Sequence, residues 1–459
     1  MRMRVRWVAF IAILALIGPS ASAAAVSGPV LETGSIGGAA FRIEIPDNWN
    51  GTLVLYSHGY VTPGSANPAR DVGDVLTGAY LLSNGYALAG SSYSTTGWAI
   101  KEALHDQIAL LDYFGGRYGI PDRTVAWGHS LGGMITAALV EQNPDRFDAA
   151  LPMCGVVAGG VGVWNSGLDG GFVFKTLTAP NSNLQLVHIT DPSANLQFAQ
   201  VLLAQAQATP QGRARIALAA AMTNLPGWID QTTPEPAAND FVTRELNQFL
   251  WNRNVDFPFG FALRAELEAR AHGNPSWNTG VDYRALLAKS VNRDEVTALY
   301  AAAGLDLEQD LQTLDAAPRI AADLEALRYL ANWVTFGGDI HHAVLTMHTT
   351  GDGLVLNQDE EAYGFIVRAA GHDSLLRQTY IHRAGHCTFT PAETIAAFSA
   401  LVRKMNTHQW SGTSPEELNA AAQALGPAFN LAPAAYFQYT PAEFPRPFDR
   451  QDAQRAGLN

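Results

Sequence analysis

The chain has 459 residues, 47% of them hydrophobic and 15% charged, with a formal net charge of −13. Such a composition folds around one large core or two smaller ones and excludes a disordered chain. The acidic balance excludes binding to nucleic acid or to an anionic membrane surface through general electrostatics.

The N-terminus comes first in chain order. Arg2, Arg4 and Arg6 precede an apolar run from Val8 to Ile17, and Pro19-Ser20-Ala21-Ser22-Ala23 ends in an A-x-A site. This three-part form predicts a secretory signal peptide over residues 1–23. The run is about half the ~20 apolar residues that a membrane span needs, so no membrane insertion is expected after cleavage. The expected location is secreted or periplasmic, which makes Cys154 and Cys387 a disulfide candidate. The alternative for them is two buried free thiols.

Ala40 to Pro46 alternates apolar and polar residues as an edge-type strand does, and Asn48-Trp49-Asn50-Gly51 predicts a turn. Thr52 to Ser57 is a continuous apolar run closed by His58-Gly59-Tyr60, which fits a strand buried on both faces. Gly85 to Tyr93 predicts another strand. Ile100, Leu104, Ile108, Leu111 and Phe114 then recur at helical spacing, with a stop expected at Gly115-Gly116. Thr124 to Trp127 predicts a buried strand, Gly128 to Gly133 a sharp turn, and the Ala-rich run after it a helix. Phe147 to Cys154 is a further strand. This order of strands and helices predicts a doubly wound, mostly parallel sheet, whose ligands bind beyond the carboxyl ends of its strands.

From 156 to 339 strand alternation stops and helical periodicity recurs, at 194–208, 213–222, 241–251, 294–303 and 320–334. We read a large, mainly helical cap insertion. Its bulky residues Phe249, Leu250, Trp251, Phe257, Phe259 and Phe261 are expected mostly to fill its own core, with a few lining an apolar pocket. The α/β rhythm resumes with a strand from His341 to His348, then Asp352, a helix from Gln358, a strand from Leu375 to His382, His386, and a helix from Pro391. The expected units are therefore 1–23, a core in two parts at 24–155 and 340–407, the insertion at 156–339, and a surface tail at 408–459.

Gly128-His129-Ser130-Leu131-Gly132 resembles the G-x-S-x-G nucleophile elbow of the α/β-hydrolase family. A tight strand-to-helix turn forces the serine into a strained conformation and leaves no room for side chains at Gly128 and Gly132. It also presents the hydroxyl at a helix N-terminus, where the backbone N–H of Leu131 is free. The resemblance implies that a His-Gly loop donates the other half of an oxyanion hole, here the N–H of Tyr60. His58 itself is expected to be structural. In the family the triad runs in the order serine, acid, histidine, with the last two on loops after late strands. Ser130, Asp352 and His386 match that order and placement. Asp339 precedes its strand, and Asp359 and Asp373 lie at helix ends where solvated carboxylates are usual. His372 ends a helix and His382 lies within a strand, so both are worse placed than His386. His341, His342 and His348 carry no clustered thiolate or carboxylate, so strand-end histidines are expected there and no metal.

A serine activated by a base that is oriented by an acid performs two-step acyl transfer without a cofactor. The expectation is a secreted serine hydrolase of carboxylic esters, on a small-molecule or polymeric substrate with apolar or aromatic acyl groups. The alternative is an aminopeptidase on the same fold. It would need a cap carboxylate for the peptide amine, from Glu235, Glu245, Asp256 or Glu266. A third reading is a binding protein that has lost catalysis.

Overall fold

The apolar runs of the sequence become the centre of one sheet. The computed structural model describes residues 28–458, so the leader expected at 1–23 lies outside the described residues. The strands are β1 (Val30–Ile36), β2 (Ala39–Ile45), β3 (Thr52–Ser57), β4 (Ala87–Ser91), β5 (Arg123–His129), β6 (Ala149–Met153), β7 (Ala343–Gly351), β8 (Leu376–Ala384) and β9 (Tyr436–Phe437). They lie in the order β1-β2-β4-β3-β5-β6-β7-β8-β9. From β4 to β8 every neighbour is parallel, while β1, β2 and β9 pair antiparallel at the edges.

Between the early strands run α1 (Val75–Ser83), α2 (Ile100–Tyr118) and α3 (Leu131–Gln142). Between β6 and β7 lie α4 (Gly160–Thr178), α5 (Pro192–Gln207), α6 (Pro210–Thr223), α7 (Phe241–Trp251), α8 (Arg264–Ala271), α9 (Tyr283–Lys289), α10 (Arg293–Ala303), α11 (Leu307–Ala316) and α12 (Leu324–Val334). After β7 come α13 (Gln358–Ala369), α14 (Pro391–Thr407), α15 (Pro415–Ala424) and α16 (Arg450–Arg455). This is an α/β-hydrolase fold. Strand residues alternate between two cores. Leu53, Leu55 and Ala126 face the layer holding α2 and α3. Val54, Val125 and Trp127 face the layer holding α14 and α15. Burial on both faces is what makes these strands read as unbroken apolar runs.

Several boundaries differ from the sequence reading. The strand at 39–45 is one in from the edge, because β1 pairs outside it; Glu32, Thr33 and Ser35 hide β1 from an apolar pattern. The helix expected to stop at Gly115-Gly116 continues to Tyr118. Two glycines cost it about 1 kcal/mol each, but Phe114 and Tyr118 are both buried and anchor the last turn. Helix α4 escaped notice because it carries five glycines. Their use is close packing: a Cβ at Gly162 would lie 2.8 Å from the Arg446 carbonyl oxygen.

The tail is no surface strap. Tyr436 is buried beside β8 and donates its hydroxyl to the Glu393 carbonyl oxygen at 2.7 Å. Arg446 pairs with buried Asp169 of α4, and Arg450 reaches Glu141 of α3 at 2.6 Å. Its aromatics and prolines lack a regular period, which made a structural segment look irregular. Among the described residues no helix is long and apolar enough to cross a membrane.

Candidate active site

Ser130 joins β5 to α3 with φ 58° and ψ −123°, a left-handed backbone that costs an L-residue strain and that cores store at functional sites. The glycines around it are required by contact. A Cβ at Gly132 would lie 1.9 Å from the Ser57 carbonyl oxygen, and one at Gly128 2.5 Å from the same atom. The strand-turn-helix therefore closes only with hydrogen at both positions. Gly59 abuts the serine, its absent Cβ 3.4 Å from Ser130 Cβ. Tyr60, Ser130 and Leu131 then line one cavity. Neither the Tyr60 nor the Leu131 N–H meets an acceptor among the described residues. His58 is held in its own loop, its ring nitrogens 2.7 Å from the Gly59 and 3.1 Å from the Ser92 carbonyl oxygens.

Asp352 follows β7 and His386 follows β8, and they meet: His386 Nδ1 lies 2.7 Å from Asp352 Oδ2. The other carboxylate oxygen accepts the N–H groups of Leu354 and Val355, both at 3.0 Å. Burial raises the Asp352 pKa, but the imidazoles of His386 and His348 outweigh it and hold the carboxyl below its ordinary range. Ser130 and His386 are brought to the same rim without a hydrogen bond between them among the described residues. The Ser130 N–H donates to Met153 O at 2.9 Å, the next residue Cys154 is bridged to Cys387, and His386 is its neighbour, with Nε2 3.3 Å from Cys387 Sγ. Catalytic hydrogen bonds are often open until substrate arrives.

The disulfide fixes this loop to the sheet, closing a sequence separation of 233 residues with Cα atoms 5.4 Å apart. Replacing both cysteines by serine is expected to cost about 2–5 kcal/mol of stability. Denaturant unfolding of the double variant measures it.

A second buried group stands behind Asp352. His348 lies inside β7 and not at its end, fully buried, with Nδ1 3.2 Å from Glu360 Oε1 and Nε2 2.9 Å from the Val355 carbonyl oxygen. Asp352 Oδ2 is 3.6 Å away. Acceptors at both nitrogens require an N–H on each. Burial opposes that charge, but Asp352 and Glu360 overcome it and raise the pKa to about 10. The imidazolium thus balances two buried carboxylates. The sequence reading passed over this pair because only the fold brings α13 under β7.

His348→Gln removes that cation, and losing one partner of a buried ion pair costs about 3–5 kcal/mol. A proton bound more tightly in the folded state stabilises fully below the unfolded pKa of 6.5 and is lost as pH rises through the folded value of about 10. The gap in melting temperature between wild type and His348→Gln should therefore be widest below pH 6.5 and close towards pH 10. A gap independent of pH would contradict it.

The rival residues lie elsewhere. Asp339 is exposed and sits 3.0 Å from His372 and 3.5 Å from His341. Asp373 and His382 are also outside the rim cluster, His382 lying 3.7 Å from Glu235. Asp359 departs from expectation: though near the start of α13 it is buried, and burial lifts its pKa to about 8.

Between the rim and the helices of 160–334 lies a cavity of about 160 Å³. Its walls include Trp98, Trp164, Phe257, Phe259 and Phe261 beside Ser130. Phe249 packs against the same hydrophobic cluster as Phe257 and Phe261, whereas Trp251 belongs to another. Two π-helical turns, Asn252–Asp256 and Phe259–Leu263, carry part of the wall. Pro258 between them has no N–H to give to an α-helical ladder. Of the four cap carboxylates considered for an amine, Asp256 lines this cavity. Burial, then the charge of Asp352, pushes its pKa well above the carboxylate range. Glu266 instead accepts the Trp98 N–H at 2.9 Å and pairs with Arg270, and Glu245 accepts from Gln207 at 3.2 Å.

A model of the prolyl oligopeptidase family matches residues 90–159, the stretch holding the elbow. An o-phthalyl amidase from Xanthobacter agilis is 30% identical over 417 residues, 84% of this chain and 89% of the relative. Among solved structures, an esterase from Aspergillus oryzae is similar at TM-score 0.39 and 15% identity, over 83% of this chain and 80% of the other. A putative dipeptidyl aminopeptidase IV from Bacteroides ovatus is similar at TM-score 0.37 and 11% identity, over 83% of this chain. The match spans 36% of that aminopeptidase's length.

Proposed function

We propose, from the premise that this chain belongs to the α/β-hydrolase family and is a serine hydrolase, that it cleaves esters and amides of compact aromatic carboxylic acids. Ser130 attacks the carbonyl carbon while His386 Nε2 takes its proton. Asp352 holds the opposite ring nitrogen as N–H and stabilises the imidazolium. The N–H groups of Tyr60 and Leu131 bind the oxyanion. The tetrahedral intermediate expels the alcohol or amine, which takes the proton from His386 and leaves an acyl-serine. Water then attacks that ester, giving its proton to His386, and Ser130 regains a proton as the acid departs. One water is consumed for each acid and alcohol or amine released.

The cavity carries this reading. Its volume of about 160 Å³ is close to the roughly 150 Å³ in which an apolar protein cavity takes up benzene. One aromatic ring therefore fits against Phe257, Phe259 and Phe261. The name of the o-phthalyl amidase relative, an aromatic acyl amide, supports both the ring and the inclusion of amides. An aminopeptidase is disfavoured because burial and the nearby Asp352 oppose the charged form of Asp256 that an amine would need. The stretch 156–339 serves as a cap that builds the cavity over the core. The disulfide supports export of the chain after removal of residues 1–23, since such bonds persist in oxidising compartments.

The test pairs a fluorophosphonate label with 4-nitrophenyl acetate, 4-nitrophenyl benzoate, benzanilides and aminoacyl anilides. Labelling, with kcat/KM highest for the benzoyl compounds, is the expected result. Preference for aminoacyl anilides would establish the peptidase, and absence of label the binding protein.

A further inference from the structure

Among the described residues, one cationic side chain lines the apolar cavity. Arg264, the first residue of α8, is 2% exposed and lines the cavity. Its Nε donates to Glu268 at 2.9 Å and its Nη2 to Asn274 at 2.6 Å. Nη1 has no acceptor among the described residues. The guanidinium lies over the ring of cavity-lining Trp164, 5.5 Å from its centroid. Burying a guanidinium in an aromatic wall with one of its corners unmet is costly unless a ligand supplies the acceptor.

The polar atoms around it also lack partners. Trp98 Nε1, Trp164 Nε1 and Ser166 Oγ are buried with none, and all three residues line the cavity. All three can donate. Asp256 Oδ2 and Asp359 Oδ2 are likewise unpartnered, and burial pushes both carboxyls up, that of Asp359 to about 8. Glu268 pairs with Arg264 through Nε alone, which leaves the Nη1 corner of the guanidinium for a ligand. A cavity whose unmet groups are a cation and several donors is complementary to an anion.

We propose that Arg264 is a specificity-determining residue that binds a second carboxylate on the acyl group, so that the substrates are half-esters or half-amides of aromatic dicarboxylic acids. This rests on the reading of Ser130, which lines the same cavity, as the acylated residue. The product is then a dicarboxylate, with one carboxylate at the oxyanion hole and the other on the guanidinium.

Product binding tests this without turnover. Isothermal calorimetry compares phthalate, isophthalate and terephthalate with benzoate, on the wild type and on Arg264→Lys and Arg264→Gln. The best dicarboxylate should bind the wild type about 10- to 100-fold more tightly than benzoate, as expected for a charge-assisted hydrogen bond. Arg264→Lys should keep part of that ratio and Arg264→Gln should bring it near unity. The inference is overturned if the wild type binds no dicarboxylate better than benzoate, or if a folded Arg264→Gln keeps the full ratio. Should Arg264→Gln fail to fold, the wild-type and Lys ratios decide. Failure of the parent reading is separate and would show as absence of fluorophosphonate label on Ser130.

Discussion

Ser130→Ala lowers kcat on a benzoyl ester by about 10⁴- to 10⁶-fold, the range set by removing a nucleophile that acts as one unit with its base. The loss is chemical, because the substitution spares the fold. The Ser130 hydroxyl makes no hydrogen bond in the protein among the described residues, and alanine meets the same φ of 58° that serine already bears. The residual rate comes from the N–H groups of Tyr60 and Leu131 and from the cavity. KM should change little, since the ring's contacts with Phe257, Phe259 and Phe261 remain. Steady-state kinetics alongside the melting temperature check both halves, and near-wild-type turnover would remove Ser130 from the mechanism.

Asp352→Asn should cost about 10⁴-fold in kcat with the structure intact. Asparagine keeps an oxygen for the N–H groups of Leu354 and Val355, which Asp352 accepts at 3.0 Å. Its NH₂ must then face His386, where Oδ2 now lies 2.7 Å from Nδ1. A donor there makes Nδ1 an acceptor and moves the ring proton to Nε2, the atom that should receive the serine proton. The wrong tautomer is thereby fixed in the right place. Loss of kcat at an unchanged melting temperature fits this, whereas a loss of ten-fold or less would make Asp352 a structural carboxylate.

Much of the geometry of the proposed site was legible because it depends on local constraints. A nucleophile elbow needs glycine where a Cβ would lie 1.9 Å from another carbonyl oxygen, and that need is written as Gly-x-Ser-x-Gly. Asp352 and His386 sit at strand ends, and buried parallel strands announce themselves as apolar runs. Groups that work across the fold leave no such trace. His348 looked like one more strand histidine until α13 placed Glu360 against it, and Asp359 looked solvated until packing buried it. Arg264 is one of many arginines in a helical stretch, and only the cavity wall distinguishes it. The tail was misread for the same reason: Tyr436 and Arg446 act through partners more than forty residues away.

The most direct measurement is to label the protein with a fluorophosphonate and map the modified peptide by mass spectrometry. The account predicts one label per chain, on Ser130, absent in Ser130→Ala and accompanied by loss of benzoyl-ester hydrolysis. A label on another serine, or hydrolysis that continues after Ser130 is fully modified, would contradict it.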